Sequence, residues 1–189
     1  MLNIVLFGPP GAGKGTQSEH IIQKYDLLHL STGDIFRYNI KNETPLGNLA
    51  KSYTDKGQLV PDDVTIRMLE SEVNKHSNPK GFIFDGFPRT TAQADALDLF
   101  LESKGTAISM MVALEVPEKE LVKRLLGRGK ESGRADDQNE TIIHNRIKEY
   151  NQKTSPLKNF YAKQGKFRPI DGIGTVEEIF SRISKEIGS

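Results

Sequence analysis

Residues 8–16 read Gly-Pro-Pro-Gly-Ala-Gly-Lys-Gly-Thr, between an apolar run at 2–7 and a stretch with Ile21, Ile22 and Tyr25 at helical spacing. Strand, glycine-rich turn and helix in that order is a narrow constraint on the fold. In such turns backbone N–H groups cradle phosphates, a lysine reaches the outer ones, and a Ser or Thr after the lysine binds Mg²⁺. Gly8, Gly13 and Lys14 fit that pattern. Gly15 stands where the hydroxyl belongs, and the hydroxyl arrives one residue late, at Thr16. A site built on this loop needs another way to hold its metal.

The rest of the chain alternates in the same sense. A short strand at 28–30 runs into Ser-Thr-Gly-Asp, where Ser31, Thr32 or Asp34 can cap a helix carrying Ile35, Phe36 and Ile40. Leu46, Leu49, Ala50 and Tyr53 continue helically to Gly57, so 33–60 reads as a small helical excursion. After Pro61 comes a helical pattern through Val64, Met68, Leu69 and Val73, then the continuous apolar run 82–84, the pattern of a strand buried on both faces, which ends at Asp85. Further on, the spacing predicts helices at 92–101, from Pro117, at 140–153 and at 156–164, with strands at 108–116 and 167–170. A capping box, Thr175 with Glu178, opens the closing helix. Strands separated by helices predict an α/β fold, a parallel sheet with helices on both faces. Ligands in such sheets lie beyond the carboxyl ends of the strands. Residues 8–16, 32–37 and 85–89 should therefore meet at one cleft.

Composition narrows the chemistry. The 189 residues fit one domain, and 26 Lys plus Arg against 25 Asp plus Glu suggest neither a nucleic-acid nor a membrane surface. The chain has no cysteine, which removes disulfides, thiol catalysis and Cys-ligated zinc, and is compatible with a reducing cytoplasm. The apolar run at the amino terminus is too short for a signal or a membrane span. His20, His29, His76 and His144 show no ligand spacing and read as core or surface residues.

Lys14 is suited to the outer phosphates, and Asp85 to Mg²⁺, directly or through water. Arg37, Arg89, Arg124, Arg128, Arg134 and Arg146 offer planar, bidentate recognition of phosphate oxygens. Arg124 and Arg128, four apart, share one helix face beside Leu121 and Leu125. Beyond them Gly127, Gly129 and Gly133 interleave with Arg128, Lys130 and Arg134, which reads as a flexible basic flap able to close over polyphosphate. Asp137 with Glu140 matches a helix cap, and a hinge or lid role is equally open for Asp136 and Asp137.

GPPGAGKGTQ, STGD followed by Arg37, DGFPRT with Gln93, GR at 127–128 and SGRADD, in this order and spacing, resemble the adenylate kinase family over essentially the whole chain. The resemblance implies a three-layer P-loop fold with a five-stranded parallel core (1–30, 61–126, 138–189), a monophosphate-binding segment at 31–60 and a short lid at 127–137. It implies transfer of a phosphoryl group from Mg·ATP to AMP, giving two ADP, by a monomer in the cytoplasm, with no nucleic-acid or membrane partner. The donor site it implies is Gly11, Ala12, Gly13, Lys14, Gly15 and Thr16 on the phosphates, with Arg124, Arg128 and Gly174. The acceptor site it implies is Thr32, Gly33, Arg37, Gln58, Leu59, Val60, Gly86, Arg89, Gln93, Arg134 and Arg146. Lys14, Arg89, Arg128, Arg134 and Arg146 would be the catalytic charges.

In that family the metal is held by phosphates and water with the aspartate behind, so no direct hydroxyl ligand is needed. Positioning and charge carry such a reaction, and a closing lid keeps water from taking the phosphoryl group. A lid of about ten residues marks the short form, without zinc. The interval from Asp137 to Arg146 is one residue longer than the family's commonest pattern, with Lys148 the nearest other basic side chain. A UMP/CMP kinase shares nearly every one of these elements but typically has alanine where Thr32 stands, which favours AMP. A nucleotide-dependent switch would have no use for the full arginine set.

Overall fold

Five strands, β1 (Leu2–Phe7), β2 (Leu28–Ser31), β3 (Gly81–Asp85), β4 (Met110–Glu115) and β5 (Phe167–Asp171), form one parallel sheet in the order β2-β3-β1-β4-β5. The computed structural model describes residues 1–188. Ile4 of the central strand pairs with Ile83 on one side and Met110 on the other. Alternation along β1 then divides the core. Val5 and Phe7 face one layer with Phe84, Leu97 and Tyr161, while Ile4 and Leu6 face the other with Ile21, Leu125 and Ile183. Each such apolar side chain, removed from water, contributes about 1.5–3 kcal/mol. A strand buried on both faces leaves only its carboxyl end for polar chemistry.

Helices α1 (Lys14–Tyr25), α2 (Thr32–Lys41), α3 (Pro45–Thr54), α4 (Asp62–Asn74), α5 (Thr91–Ser103), α6 (Glu118–Ser132), α7 (Glu140–Glu149), α8 (Leu157–Lys163) and α9 (Val176–Ile187) cover the sheet and its upper edge. Ser31 caps α2 by accepting from Asp34 N, and Thr175 and Glu178 close the expected capping box on α9. The excursion packs through a small cluster, Phe36, Ala50 and Val60, that it shares with Met68 of α4.

Three local expectations need correction. Residues 140–153 are not one α-helix: α7 ends at Glu149 and a π-helical turn, Tyr150–Thr154, follows. Asp137 is not the cap of α7, because Asn139 Oδ1 accepts from Thr141 N and Ile142 N in that role. The basic flap is more ordered than its glycines suggest: α6 runs through Gly127 and Gly129 to Ser132, and a 3-10 turn, Ala135–Asp137, leads on to α7. At Gly129 a Cβ would overlap the Asp137 carbonyl, so that glycine serves close packing rather than flexibility.

Candidate active site

The phosphate loop leaves β1 and enters α1 through Gly13, whose φ of 94° is closed to most side chains. No side chain caps α1 and no acid stands in its first turn. Its first N–H groups therefore present a bare positive end, the arrangement that binds anions. Gly15 and Thr16 are exposed there. Lys14 curls back so that Nζ donates to Gly8 O (2.9 Å) and Pro9 O (3.1 Å). Desolvation of that ammonium lowers its pKa to about 8, against the opposing pull of Asp85.

Across the cleft, Thr32, Gly86, Arg89 and Gln93, four of the residues that the sequence assigns to the acceptor, form one network. Gly86 O accepts from Thr32 Oγ1 (2.8 Å) and Arg89 Nε (2.7 Å), so one carbonyl ties the start of α2 to the loop after β3. Arg89 is half-buried, without a salt bridge among the described residues, and desolvation lowers its pKa to about 10, with Arg146 adding to the shift. Arg37 lies at the exposed rim, bonded to Asp34. A cavity of about 340 Å³ runs from here to the phosphate loop. Every acceptor residue that the sequence singled out lines it, from Thr32, Gly33 and Arg37 through Gln58, Leu59 and Val60 to Gly86, Arg89, Gln93, Arg134 and Arg146, and so does Lys14. Phe36 and Phe87 add apolar wall.

Over this cavity stands the arginine cluster. Asp137, fully buried, receives Arg128 in bidentate fashion (Nε to Oδ2 2.6 Å, Nη2 to Oδ1 3.1 Å) and Arg146 Nη1 (2.6 Å). Arg146 also reaches Asp136 Oδ2 (3.0 Å). Burial pushes the Asp137 carboxyl up, but the Arg128 and Arg146 hydrogen bonds and charges outweigh it and hold the pKa below the usual carboxylate range. Arg134 Nε stands 3.5 Å from Asp136 and from Asp137, buried and without a hydrogen bond. Three guanidiniums share two carboxylates, which leaves the cluster net cationic. On the outer side, Arg124 bonds Glu120 (2.9 Å) and Gly172 O (3.1 Å), joining α6 to the Gly172–Gly174 turn after β5.

A family model described as Adenylate kinase matches residues 6–166. The chain belongs to the adenylate kinase family. Among the curated relatives that carry that name, one from Flavobacterium psychrophilum is 61% identical over 189 residues and covers 100% of both chains. Another, from Flavobacterium johnsoniae, is 57% identical over 187 residues, 99% of this chain and 98% of the relative. One from Bacteroides fragilis is 54% identical with the same coverage.

Adenylate kinases use ATP with Mg²⁺, and Asp85 is a fit for that ion. Burial pushes its carboxyl up, yet the neighbouring His29 imidazole, Lys14 and Arg89 hold the pKa below the carboxylate range. Among the described residues no group of three or more His, Cys, Asp and Glu could hold a metal unaided. Mg²⁺ suits such a setting, since it takes one or two carboxylates and fills its shell with phosphate oxygens and water.

Two residues at this adenylate kinase site escape the sequence reading. His29 Nε2 lies 3.6 Å from Asp85 Oδ2. A signal existed, because His29 pairs with Ile83 in the β2–β3 register and so lies diagonally from Asp85 on the same face. Asp62 accepts hydrogen bonds from Thr90 and Gln93, and as one of two acids opening α4 it carries no local signal of that contact.

Proposed function

We propose that the residues of this cleft divide between them the phosphoryl transfer from ATP to AMP that membership of the adenylate kinase family brings. Lys14 and the N–H groups of Gly11, Ala12, Gly13, Gly15 and Thr16 hold the donor phosphates, with Arg124 and Gly174 beside the donor base. Thr32, Gly33, Gly86, Gln93 and the backbone of Gln58, Leu59 and Val60 receive the acceptor base and sugar. Arg37 and Arg89 hold the acceptor phosphate, while Arg128, Arg134 and Arg146 gather the transferring and flanking phosphates. An oxygen of the AMP phosphate bonds to the γ-phosphorus as the bond to the β–γ bridging oxygen breaks, leaving two ADP. Asp85 would hold Mg²⁺, directly or through water, and the ion, when bound, would supply neutralisation of the donor phosphates' charge. The protein adds position and positive charge, which carry most of such a reaction.

The observation that carries this reading is the single cavity in which the whole acceptor set meets Lys14 of the phosphate loop. Segments 31–60 and 127–137 act in it as the parts that close over the two nucleotides. The reading is of a monomer. A cysteine-free chain also suits the cytoplasm, and no helix among the described residues is long and apolar enough to cross a membrane. A coupled assay with ATP and each nucleoside monophosphate tests it: AMP should be the preferred acceptor, and equal or better turnover of UMP or CMP would defeat the assignment of the base site.

A further inference from the structure

Gln93 is 2% exposed, and its side-chain amide is held at both ends. Oε1 accepts from Arg89 N (2.7 Å), and Nε2 donates to Asp62 Oδ1 (2.8 Å). The same carboxylate oxygen accepts from Thr90 Oγ1 (3.0 Å), while Thr90 caps α5 by accepting from Gln93 N (3.2 Å). A backbone N–H only donates and a carboxylate only accepts, so these partners admit one orientation of the amide. Turned by 180°, Nε2 would meet an N–H and Oε1 a carboxylate, leaving both pairs unsatisfied.

Each amide atom keeps one further hydrogen-bonding capacity, and Gln93 lines the cavity. The two common classes of purine ask opposite things of it. A 6-aminopurine offers an N6–H donor beside a ring-nitrogen acceptor, whereas a 6-oxopurine offers an O6 acceptor beside an N1–H donor. An amide free to turn could serve either. We propose that Asp62 is a positioning residue for base choice, holding the Gln93 amide in the sense that fits a 6-aminopurine and opposes a 6-oxopurine. The placement favours this role, since Asp62 opens α4 two residues after Val60, where the chain leaves the 31–60 excursion for the core. Asp63 supplies the same charge to the first turn of α4 but pairs with Arg67 on the surface, so helix stabilisation does not require Asp62 to face Gln93.

This inference rests on the reading of the cavity as the AMP site, and the test separates the two. With ATP as donor, kcat/KM for AMP and for IMP is measured in the unaltered enzyme and in Asp62→Ser, Asp62→Ala, Asp62→Asn and Asp63→Asn. No preference for AMP in the unaltered enzyme would defeat the site reading and this inference together. Otherwise Asp62→Ser and Asp62→Ala should lower the AMP-to-IMP ratio at least about tenfold, with KM for ATP unchanged. Asp62→Asn keeps an acceptor oxygen and should restore most of the ratio, and Asp63→Asn should leave it unaltered. A wild-type ratio in folded Asp62→Ser or Asp62→Ala, or an equal fall for AMP and IMP, overturns the proposal. Should neither variant fold, the unaltered protein still decides. One Gln93 Nε2 proton should exchange with solvent much more slowly than those of exposed Gln152, and equal exchange overturns it.

Discussion

The two halves that the proposed reading gives the cleft, one for each nucleotide, differ in how their polar groups are partnered. On the proposed acceptor side several polar groups bond to each other beside the cavity: Thr32 and Arg89 share the Gly86 carbonyl, and Gln93 is held by Arg89 and Asp62. On the donor side Gly8, Pro10 and Lys14 of the phosphate loop reach that cavity and the α1 end lies open, while Arg128 and Arg146, the second of which also lines the cavity, grip the carboxylates of Asp136 and Asp137. On that reading the acceptor side is preorganised to reject a wrong base, whereas the donor side would exchange carboxylates for phosphates before its charges are usable.

The sharpest way to break this contrast is to remove the cation at the centre of each half. Lys14→Met should reduce kcat roughly 10²–10³-fold, the scale of losing one charged transition-state contact. Its stability should not fall, because a desolvated ammonium is removed with its charge. Arg89→Ala should cost a similar factor but raise KM for AMP far more than for ATP. Steady-state kinetics with each substrate varied, together with thermal melts, check both. Turnover within a few-fold of the unaltered enzyme would remove the residue concerned from the reaction centre.

Asp137→Asn tests whether the donor arginines are truly occupied. It leaves guanidiniums crowded around a neutral amide, and breaking a buried ion pair of this kind costs on the order of 3 kcal/mol, less where the arginines keep access to water. Unfolding free energy should therefore fall by about 2–3 kcal/mol, while ATP affinity, measured by titration, holds or rises because the phosphates no longer displace a carboxylate. Loss of affinity in step with stability would mean that Asp137 aligns these arginines rather than occupying them.

What the sequence made legible follows the same division. The strand-turn-helix order around Gly8–Thr16 and the alternation of strands and helices are local patterns, and the sheet obeys them. The cavity residues at 32–37 and 86–93 are legible because short motifs at strand ends carry them. The arginine cluster is legible in its arginines but not in their partners. Asp137 with Glu140 obeys a capping rule, yet a three-guanidinium site outbids a cap, and Asn139 takes the end of the helix instead. Gly127 and Gly129 weaken a helix locally, but α6 continues because Gly129 lets Asp137 pack against it. Asp62 is illegible for the same reason: its partner stands 31 residues away in another helix.

Base selectivity probes the acceptor half alone. A site whose polar groups are already oriented rejects a mismatched base more strongly than one relying on apolar fit. AMP should exceed CMP and UMP in kcat/KM by at least roughly 100-fold, about 2.7 kcal/mol. Gln93→Leu should shrink that gap by weakening AMP, with KM for ATP nearly unchanged. A gap that survives the substitution would assign selectivity to the Phe36 and Phe87 walls instead.

The smallest effect separates the halves by pH. Lys14 is depressed to about 8 and Arg89 only to about 10, both by desolvation. Below pH 8 the empty protein carries a charged, desolvated Lys14. That penalty lessens as pH rises from 8 towards the ordinary lysine value, because the unfolded chain binds more protons than the native one in that window. Lys14 therefore makes stability rise with pH there, and that contribution should be absent from Lys14→Met, so that the slope appears in the difference between the two proteins. Bound phosphate restores the proton to Lys14. ATP binding near pH 9 should thus take up close to one proton, visible as a buffer-dependent heat, and ATP affinity should be about tenfold weaker there than at pH 7. Arg89 stays mostly charged up to pH 9, so AMP affinity should be nearly flat between pH 7 and pH 9. Parallel losses for both nucleotides would place a single titrating group between the two sites and erase the distinction between them.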